Sequence, residues 1–216
     1  MRILFFDTET NGLPKGPRGS SVPEDWPSIV QIAWQVWDCD YPKEPVLASS
    51  VSHILRPSVD VVWDLGSQGF HQITKERALG EGVDPLVALD AFRTVLAESQ
   101  IVVAHNLAFD KSVVTFEGVR RRLPPLSWPR LRGGQDCCTM EMSTQFCRLP
   151  SRYSRTDYKF PKLSELHALL FGNQTSIVFH NAANDVEATV RCFWRLVALD
   201  VIPLETWAIL LRVGDP

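Results

Sequence analysis

Two carboxylates stand two residues apart near the beginning of the chain, in the run FDTET at residues 6–10. The apolar and aromatic stretch before them predicts a β-strand over Arg2–Asp7. Because successive side chains of a strand point to opposite faces, Asp7 and Glu9 should point the same way. Two like charges at that spacing repel each other, and burial raises the cost. A hard divalent cation would stabilise the pair, since it prefers carboxylate oxygens; the alternative is a strand that runs into solvent with two hydrated acids.

Two further segments each carry a histidine five residues before an aspartate: HNLAFD at 105–110 and HNAAND at 180–185. The first follows the wholly apolar run Ile101–Ala104, which predicts a strand buried on both faces. In open α/β sheets, ligands bind at the carboxyl ends of such strands. Simpler interpretations exist for single residues. Asp110 would suit the first turn of a helix through the helix dipole, and a lone histidine such as His180 is more often a surface or core residue than a catalyst.

Together the three segments supply four acids: Asp7, Glu9, Asp110 and Asp185. Four carboxylates balance the charge of two divalent cations held about 4 Å apart, an arrangement that activates water and stabilises the departing oxygen of an in-line displacement at phosphorus. His180 would be the general base, because imidazole accepts a proton near neutral pH. The combination therefore predicts metal-dependent hydrolysis of a phosphodiester.

The order of apolar runs and turn signals predicts an α/β fold with a mixed central β-sheet flanked by helices. Strands are predicted at Arg2–Asp7, Ile29–Trp37, Val46–Leu55 and Ile101–Ala104, the first three as an antiparallel meander. Helices are predicted at Pro85–Glu98, from about Ala108 to Arg122, around Cys138–Phe146, at Leu163–Phe171, from Ala182 to Leu199, and from Pro203. We interpret residues 1–216 as a single domain, with 203–216 as a C-terminal helical extension.

Composition favours a soluble, cytoplasmic protein with no membrane association. Hydrophobic residues make up 45% of the 216 and charged residues 22%, which is ordinary globular composition. No apolar run approaches the ~20 residues that cross a bilayer, and the apolar stretch at residues 3–6 is too short for a signal-peptide core. The odd number of cysteines, five, suits no disulfide framework. A zinc site lacks the usual paired ligand spacing; its candidate ligands would be Cys137, Cys138, Cys147 and His167.

Charge is distributed unevenly along the chain. The net charge is −3, but residues 111–162 hold 11 Lys and Arg against 4 Asp and Glu, an excess of seven positive charges. An acidic metal site beside a basic track for phosphates would have this asymmetry. Charge alone favours the plainer interpretation of solvated basic loops.

The runs FDTETNGL, HNLAFD and HNAAND resemble, in that order, the three exonuclease motifs of the DEDDh family of 3′–5′ exonucleases, which includes proofreading exonucleases, RNase T and oligoribonuclease. The motifs span Asp7 to Asp185, most of the chain. FHQIT at 70–74 is similar to a His-Gly-Ile-Thr segment common in the family, and Asp136 with Thr139 is loosely similar to an Asp-Thr pair. The related subfamily with a tyrosine base needs Tyr where this chain has Asn181, which indicates the histidine version.

The resemblance implies a ribonuclease H-like fold in which four acids hold two divalent cations, Mg²⁺ or Mn²⁺, and His180 is the base. The implied metal ligands are Asp7, Glu9, Asp110 and Asp185. It also implies contacts with the substrate strand, in which Phe109 stacks on the last bases; the implied contacts are Thr10, Leu13, His105, Asn106 and Phe109. Ordinary core packing is the alternative for Phe109.

The expected activity is release of nucleoside monophosphates from single-stranded or frayed 3′ ends, with DNA favoured over RNA and roles in proofreading or DNA repair. One alternative is a catalytically silent nucleic-acid-binding or polymerase-associated module of the same fold. A second is an endonuclease or transposase, which would lack the His-x₄-Asp pairing. A DNA polymerase partner and a homodimer both stay open. The apolar residues of the C-terminal segment would either dock a partner or cap the core: Trp207, Ile209, Leu210 and Leu211.

Overall fold

The computed structural model describes residues 1–17, 19–40, 43–59, 61–129, 137–153, 157–172 and 177–203. Within this part of the chain, a five-stranded sheet has the order β3-β2-β1-β4-β5. The strands are β1 (Arg2–Thr10), β2 (Ile29–Asp38), β3 (Val46–Ile54), β4 (Ile101–Ala104) and β5 (Cys137–Cys138). The helices are α1 (Leu65–His71), α2 (Lys75–Glu81), α3 (Pro85–Glu98), α4 (Leu107–Arg120), α5 (Thr139–Cys147), α6 (Leu163–Phe171) and α7 (Ala182–Ala198).

The two strands that flank the central strand β1 run in opposite directions to each other. It is antiparallel to β2 and parallel to β4, while β2 and β3 are antiparallel and β4 and β5 are parallel. The sheet is therefore mixed, and the predicted meander of three strands is confirmed. All four residues of β4 are buried, as expected for a short apolar strand that is covered on both faces.

Helices pack on both faces of the sheet, and alternate residues of β1 divide between the two layers. Ile3 and Phe5 belong to one core cluster with α6 and α7, in which the rings of Phe5 and Phe193 lie 5.1 Å apart. Leu4 and Phe6 belong to a second cluster with α3 and α4. Because Asp7 and Glu9 continue the odd-numbered series, the period of two directs their side chains toward the α7 side.

The structure corrects the predicted end of the first strand. Pairing with β2 continues past Asp7, with Thr8 opposite Ile32 and Glu9 opposite Gln31, and the register shifts only between Glu9 and Thr10. The two acids therefore lie inside the strand rather than at its end. The reason is that ladder hydrogen bonds use the backbone and tolerate polar side chains, whereas the prediction ended the strand where apolar residues ended.

Several shorter elements have no counterpart in the prediction. The helices α1 and α2 lie in a stretch with three glycines and no apolar period, and side-chain caps stabilise their starts: Asp64 Oδ1 accepts from the N–H of Ser67, and Thr74 Oγ1 accepts from that of Arg77. The predicted loop Lys15–Pro27 contains a 3₁₀ turn at Pro23–Asp25. The two-residue strand β5 was too short to show a period.

The predicted long helices are confirmed with small shifts at their ends. Pro85–Glu98 and Leu163–Phe171 match, and the others differ by one or two residues at a terminus. Residues 204–216 of the predicted C-terminal extension and the aspartate of the Asp136–Thr139 pair lie outside the described residues. No described helix is both long enough and apolar enough to span a bilayer.

Candidate metal centre and active site

Three carboxylates from two distant parts of the chain converge at one point. One oxygen each of Asp7, Glu9 and Asp185 lies within 4.8 Å of the others. The first two come from β1 and point toward α7, whose first turn carries the third. A distance this short between carboxylates is what one cation bound by all three would require.

The start of α7 is fixed by hydrogen bonds on two sides, which places Asp185. Asn181 caps the helix, its Oδ1 accepting from the N–H of Ala183 at 3.2 Å. Gln31, on the strand next to β1, accepts from the N–H of Ala182 at 3.1 Å. The acid itself uses Oδ2 to accept from the N–H of His180 at 2.9 Å.

The second oxygen of Asp185, Oδ1, is buried and has no hydrogen-bond partner within the described part of the chain. A buried carboxylate oxygen without a partner is destabilising by about 1–3 kcal/mol, and more if charged. A cation beside this oxygen would remove that cost. This orphaned atom and the all-oxygen donor set both fit a hard divalent metal.

Asp110 reaches the same cleft from the opposite layer, in the first turn of α4. It is only 3% exposed, and its Oδ1 accepts two hydrogen bonds from Thr8, one from the backbone N–H at 3.0 Å and one from the hydroxyl at 2.6 Å. It lies outside the compact group of three carboxylates. Thr8 therefore connects the fourth acid directly to the strand that carries Asp7 and Glu9.

The protonation of these acids reflects their crowding. Burial is the main reason that the pKa of each carboxyl is raised, and repulsion from neighbouring carboxylates adds to it for Asp7 and Glu9. The pKa rises well above its ordinary value for Asp7, to about 8 for Glu9, to about 7 for Asp110 and to about 6 for Asp185. Without a cation, the raised pKa values favour the protonated form of these carboxyl groups. A bound divalent cation would instead favour the ionised form.

The five predicted catalytic residues line a single cleft of about 410 Å³, together with His105, Asn106 and Phe109. His180 is exposed at its mouth and has left-handed backbone geometry, with φ of 68°. Asn106 is exposed and precedes α4, also with positive φ. Phe109 is partly buried, and its ring lies 6.3 Å from that of Trp26.

The predicted contacts Thr10 and Leu13 are not among the residues that line this cleft. Thr10 is buried, and its hydroxyl donates to the carbonyl of Gly12 at 2.7 Å. Leu13 is 75% exposed and lines a separate groove with Lys15 and Trp26. Their contacts with a terminal nucleotide stay predictions.

His105 has both ring nitrogens engaged by the protein. Nε2 lies 2.9 Å from the carbonyl of Pro161 and must donate to it; Nδ1, 3.0 Å from the hydroxyl of Thr139, then accepts from that hydroxyl. Burial lowers the pKa of His105 to about 4, so the ring is neutral. This histidine holds the wall of the cleft together and leaves no ring nitrogen for a substrate; its place near the substrate backbone stays a prediction.

Six further residues line the cleft that the sequence did not single out as site residues: Thr8, Phe70, Lys162, Leu163, Ser164 and Phe179. Lys162 is the only lysine or arginine among the described lining residues, and it is exposed. The similarity of FHQIT to a family segment was the one available signal for Phe70. Nothing in the spacing marked Lys162, which is one of many cations in the basic segment.

The considered zinc site has no support in the described residues. Among them, the acidic cluster is the only group of three or more His, Cys, Asp or Glu residues close enough to hold a metal ion. Disulfide bonds join none of the five cysteines: Cys39, Cys137, Cys138, Cys147 and Cys192.

Solved structures share this fold. The zinc-bound form of an E. coli exonuclease I complex with single-stranded DNA is 18% identical, with a TM-score of 0.66 over 91% of this chain and 40% of that one. A moderately thermophilic exonuclease I from Methylocaldum szegediense is 21% identical, with a TM-score of 0.65 over 91% and 40%. E. coli exonuclease I in complex with a dA16 oligonucleotide is 16% identical, with a TM-score of 0.67 over 91% and 41%.

The predicted fold is confirmed by these neighbours. The chain spans about two fifths of their length. No family model and no curated protein matches the sequence.

Proposed function

We propose that this chain is a metal-dependent 3′–5′ exonuclease domain that releases nucleoside monophosphates from the 3′ end of a single nucleic-acid strand. The observation that carries the proposal is the meeting of Asp7, Glu9 and Asp185 within 4.8 Å, in a cleft that also holds Asp110 and His180. The likeness in fold to exonuclease I and the three sequence motifs support the same activity.

Two divalent cations, Mg²⁺ or Mn²⁺, would be held by the four acids. When bound, they activate a water molecule and neutralise the charge that develops on the phosphoryl oxygens. The protein's own residues prepare the reaction around them. Thr8 fixes Asp110 through two hydrogen bonds, and the N–H of His180 fixes Asp185 through one. A ring nitrogen of His180 accepts the proton of the attacking water.

The substrate strand enters from the exposed side of the cleft. Phe109 stacks on a terminal base without reading its identity, and Asn106 faces the backbone. Lys162 offers a positive charge to a phosphate in a cleft that is otherwise acidic. E. coli exonuclease I forms complexes with single-stranded DNA, which supports DNA as the preferred strand here. Association with a polymerase or with a second copy stays a prediction.

A degradation series tests the proposal. Single-stranded DNA, duplex DNA, RNA and a single-stranded circle, with labelled 5′ ends on the linear forms, are incubated with Mg²⁺, with Mn²⁺ and with a chelator. We expect the linear single strand to shorten stepwise from its 3′ end, the circle to survive, and all cleavage to stop with the chelator. Cleavage of the circle would instead indicate an endonuclease.

Matched variants connect this activity to the acidic cluster. Asp185→Asn keeps the shape of the side chain but removes its charge, so we expect hydrolysis to fall by at least about 100-fold. Glu187→Gln, on the exposed face of the same helix, should keep wild-type activity. Full activity of Asp185→Asn would contradict the metal-site assignment.

A further inference from the structure

Phe70 is a large apolar side chain that the fold leaves in solvent at the mouth of the cleft. It is 65% exposed, and its ring lies 5.2 Å from the imidazole of His180, with 60° between the ring planes. Exposed apolar residues are common. This one, however, contacts the residue to which the proposed function gives the proton transfer.

The backbone around Phe70 is held firmly, so the position of its ring is defined. The helix α1 begins after Asp64, whose N–H donates to the carbonyl of Asn11 just beyond β1, at 3.3 Å. The residue after Phe70 is His71, which is buried, and its Nδ1 accepts from the N–H of Ile73 at 3.0 Å. The ring therefore projects from an anchored helix end close to the strand of the acids.

The side chain of His180, in contrast, has few restraints of its own. Its backbone is fixed, because its N–H donates to Asp185 and its φ is 68°. Its imidazole makes no hydrogen bond within the described residues, and among them only the ring of Phe70 packs against it. A histidine base is commonly oriented by a third group that hydrogen-bonds its other ring nitrogen. No such group contacts His180 in the part of the chain that the structure describes.

We propose that Phe70 is a positioning residue for His180: its ring restricts the imidazole to orientations that face the acidic cluster. This inference rests on the proposed function, since it assigns Phe70 a role through the base. A histidine side chain has three staggered χ1 wells and a roughly two-fold χ2, about six orientations in all. If only one is competent, free rotation reduces the competent fraction by up to about six-fold.

Kinetics of variants test this. Phe70→Ala should lower kcat about three- to six-fold and change KM by less than about two-fold, because the substrate still binds. Phe70→Tyr, which keeps the ring, should restore kcat. In a His180→Ala background, Phe70→Ala should have no further effect, since two residues that act through one step are not additive. Leu65→Ala, at an exposed position of the same helix, is the matched control and should leave kcat unchanged.

Histidine ring NMR signals give a readout that does not depend on catalysis. The imidazole protons of His180 should carry a ring-current shift in the wild type and in Phe70→Tyr that disappears in Phe70→Ala, while the signals of His53 stay in place. Unchanged His180 signals in Phe70→Ala would overturn the inference. So would a rise in KM that persists in the His180→Ala background, which would mean that Phe70 contacts the substrate independently.

The two proposals fail separately. A wild-type protein without chelator-sensitive hydrolysis would refute the proposed function, and the NMR comparison would still decide whether Phe70 packs against the imidazole. An active wild type whose kcat is unchanged by Phe70→Ala would refute this inference alone.

Discussion

At the scale of single residues, the cleft combines buried and half-buried acids with one exposed lysine. Under the proposed function the acids bind cations, but the phosphates of a nucleic-acid strand would be repelled by the same acids. Among the described lining residues, Lys162 is the only lysine or arginine, and its positive charge would offset this repulsion. Its proposed role is therefore phosphate binding, distinct from the metal binding proposed for the carboxylates.

Lys162→Gln should raise KM by about three- to ten-fold with little change in kcat. Each phosphate contact with a single strand contributes about −0.7 to the slope of log affinity against log salt, so the variant should also bind with a slope shallower by about that amount. Fluorescence anisotropy of a labelled oligonucleotide at several salt concentrations measures it. Lys43→Gln changes a lysine that pairs with Asp40 at the surface, and should alter neither quantity.

The acids could be singled out from the sequence because the signal of each is local; their role as metal ligands stays a prediction. In a β-strand, the period of two places Asp7 and Glu9 on one face, and a motif six residues long marks Asp185. Phe70, which contacts His180, lies more than 90 residues from Asp185 in the sequence. Lys162 lies more than 50 residues from Asp110, although both line the same cleft. Such contacts depend on tertiary packing, which spacing does not encode.

At the scale of elements, the hydroxyl of Thr8 ties the first turn of α4 to the middle of β1. This bond joins a helix of one layer to the strand whose acids face the other layer. The metal affinity of the proposed site should therefore depend on the hydrogen bond between β1 and α4 as well as on the carboxylates themselves.

Thr8→Val keeps the volume of the side chain but removes one donor to Asp110. Loss of a buried hydrogen bond should lower the free energy of unfolding by about 1–2 kcal/mol, and the Mn²⁺ concentration for half-maximal activity should rise because Asp110 is less well placed. Urea unfolding and a metal titration measure the two effects. Thr94→Val removes a hydroxyl that donates to the carbonyl of Asp90 at an exposed position of α3, and should cost less than about 0.5 kcal/mol. Equal losses in both variants would contradict the assigned role.

The long elements were predictable because each carries many apolar residues at one period, as α3 and β4 do. The short helices were not, because caps at Asp64 and Thr74 stabilise them instead of an apolar face. His105 shows the same limit within the site. Its position after β4 indicated chemistry, whereas the structure uses both ring nitrogens to join Thr139 and Pro161.

At the scale of the whole molecule, the crowded acids link folding to pH and to metal. Their carboxyl pKa values are raised in the folded state, to about 6 for Asp185, about 7 for Asp110 and about 8 for Glu9, above the values near 4 of an unfolded chain. The folded protein therefore binds protons more tightly than the unfolded one. The stability gained in this way is fully present below about pH 4 and is lost as pH rises through these folded-state values.

Without cations, the melting temperature should consequently fall between about pH 5 and pH 8, apart from the contributions of other groups, and added Mg²⁺ or Mn²⁺ should raise it more at pH 8 than at pH 5. Scanning calorimetry with a chelator and with metal measures both trends. Asp185→Asn removes one of the raised carboxyls, so its pH dependence should be shallower and its response to metal smaller. A stabilisation by metal that is equal at both pH values would contradict this linkage.

The acids come from both sides of the sheet: Asp185 from the α7 layer, Asp110 from the α4 layer, and Asp7 and Glu9 from the strand between them. A half-folded intermediate in which only one layer has docked would hold an incomplete ligand set. Under the proposed assignment, such an intermediate cannot hydrolyse nucleic acid. Nuclease activity, as proposed, would therefore appear only after the helices of both layers have docked on the sheet.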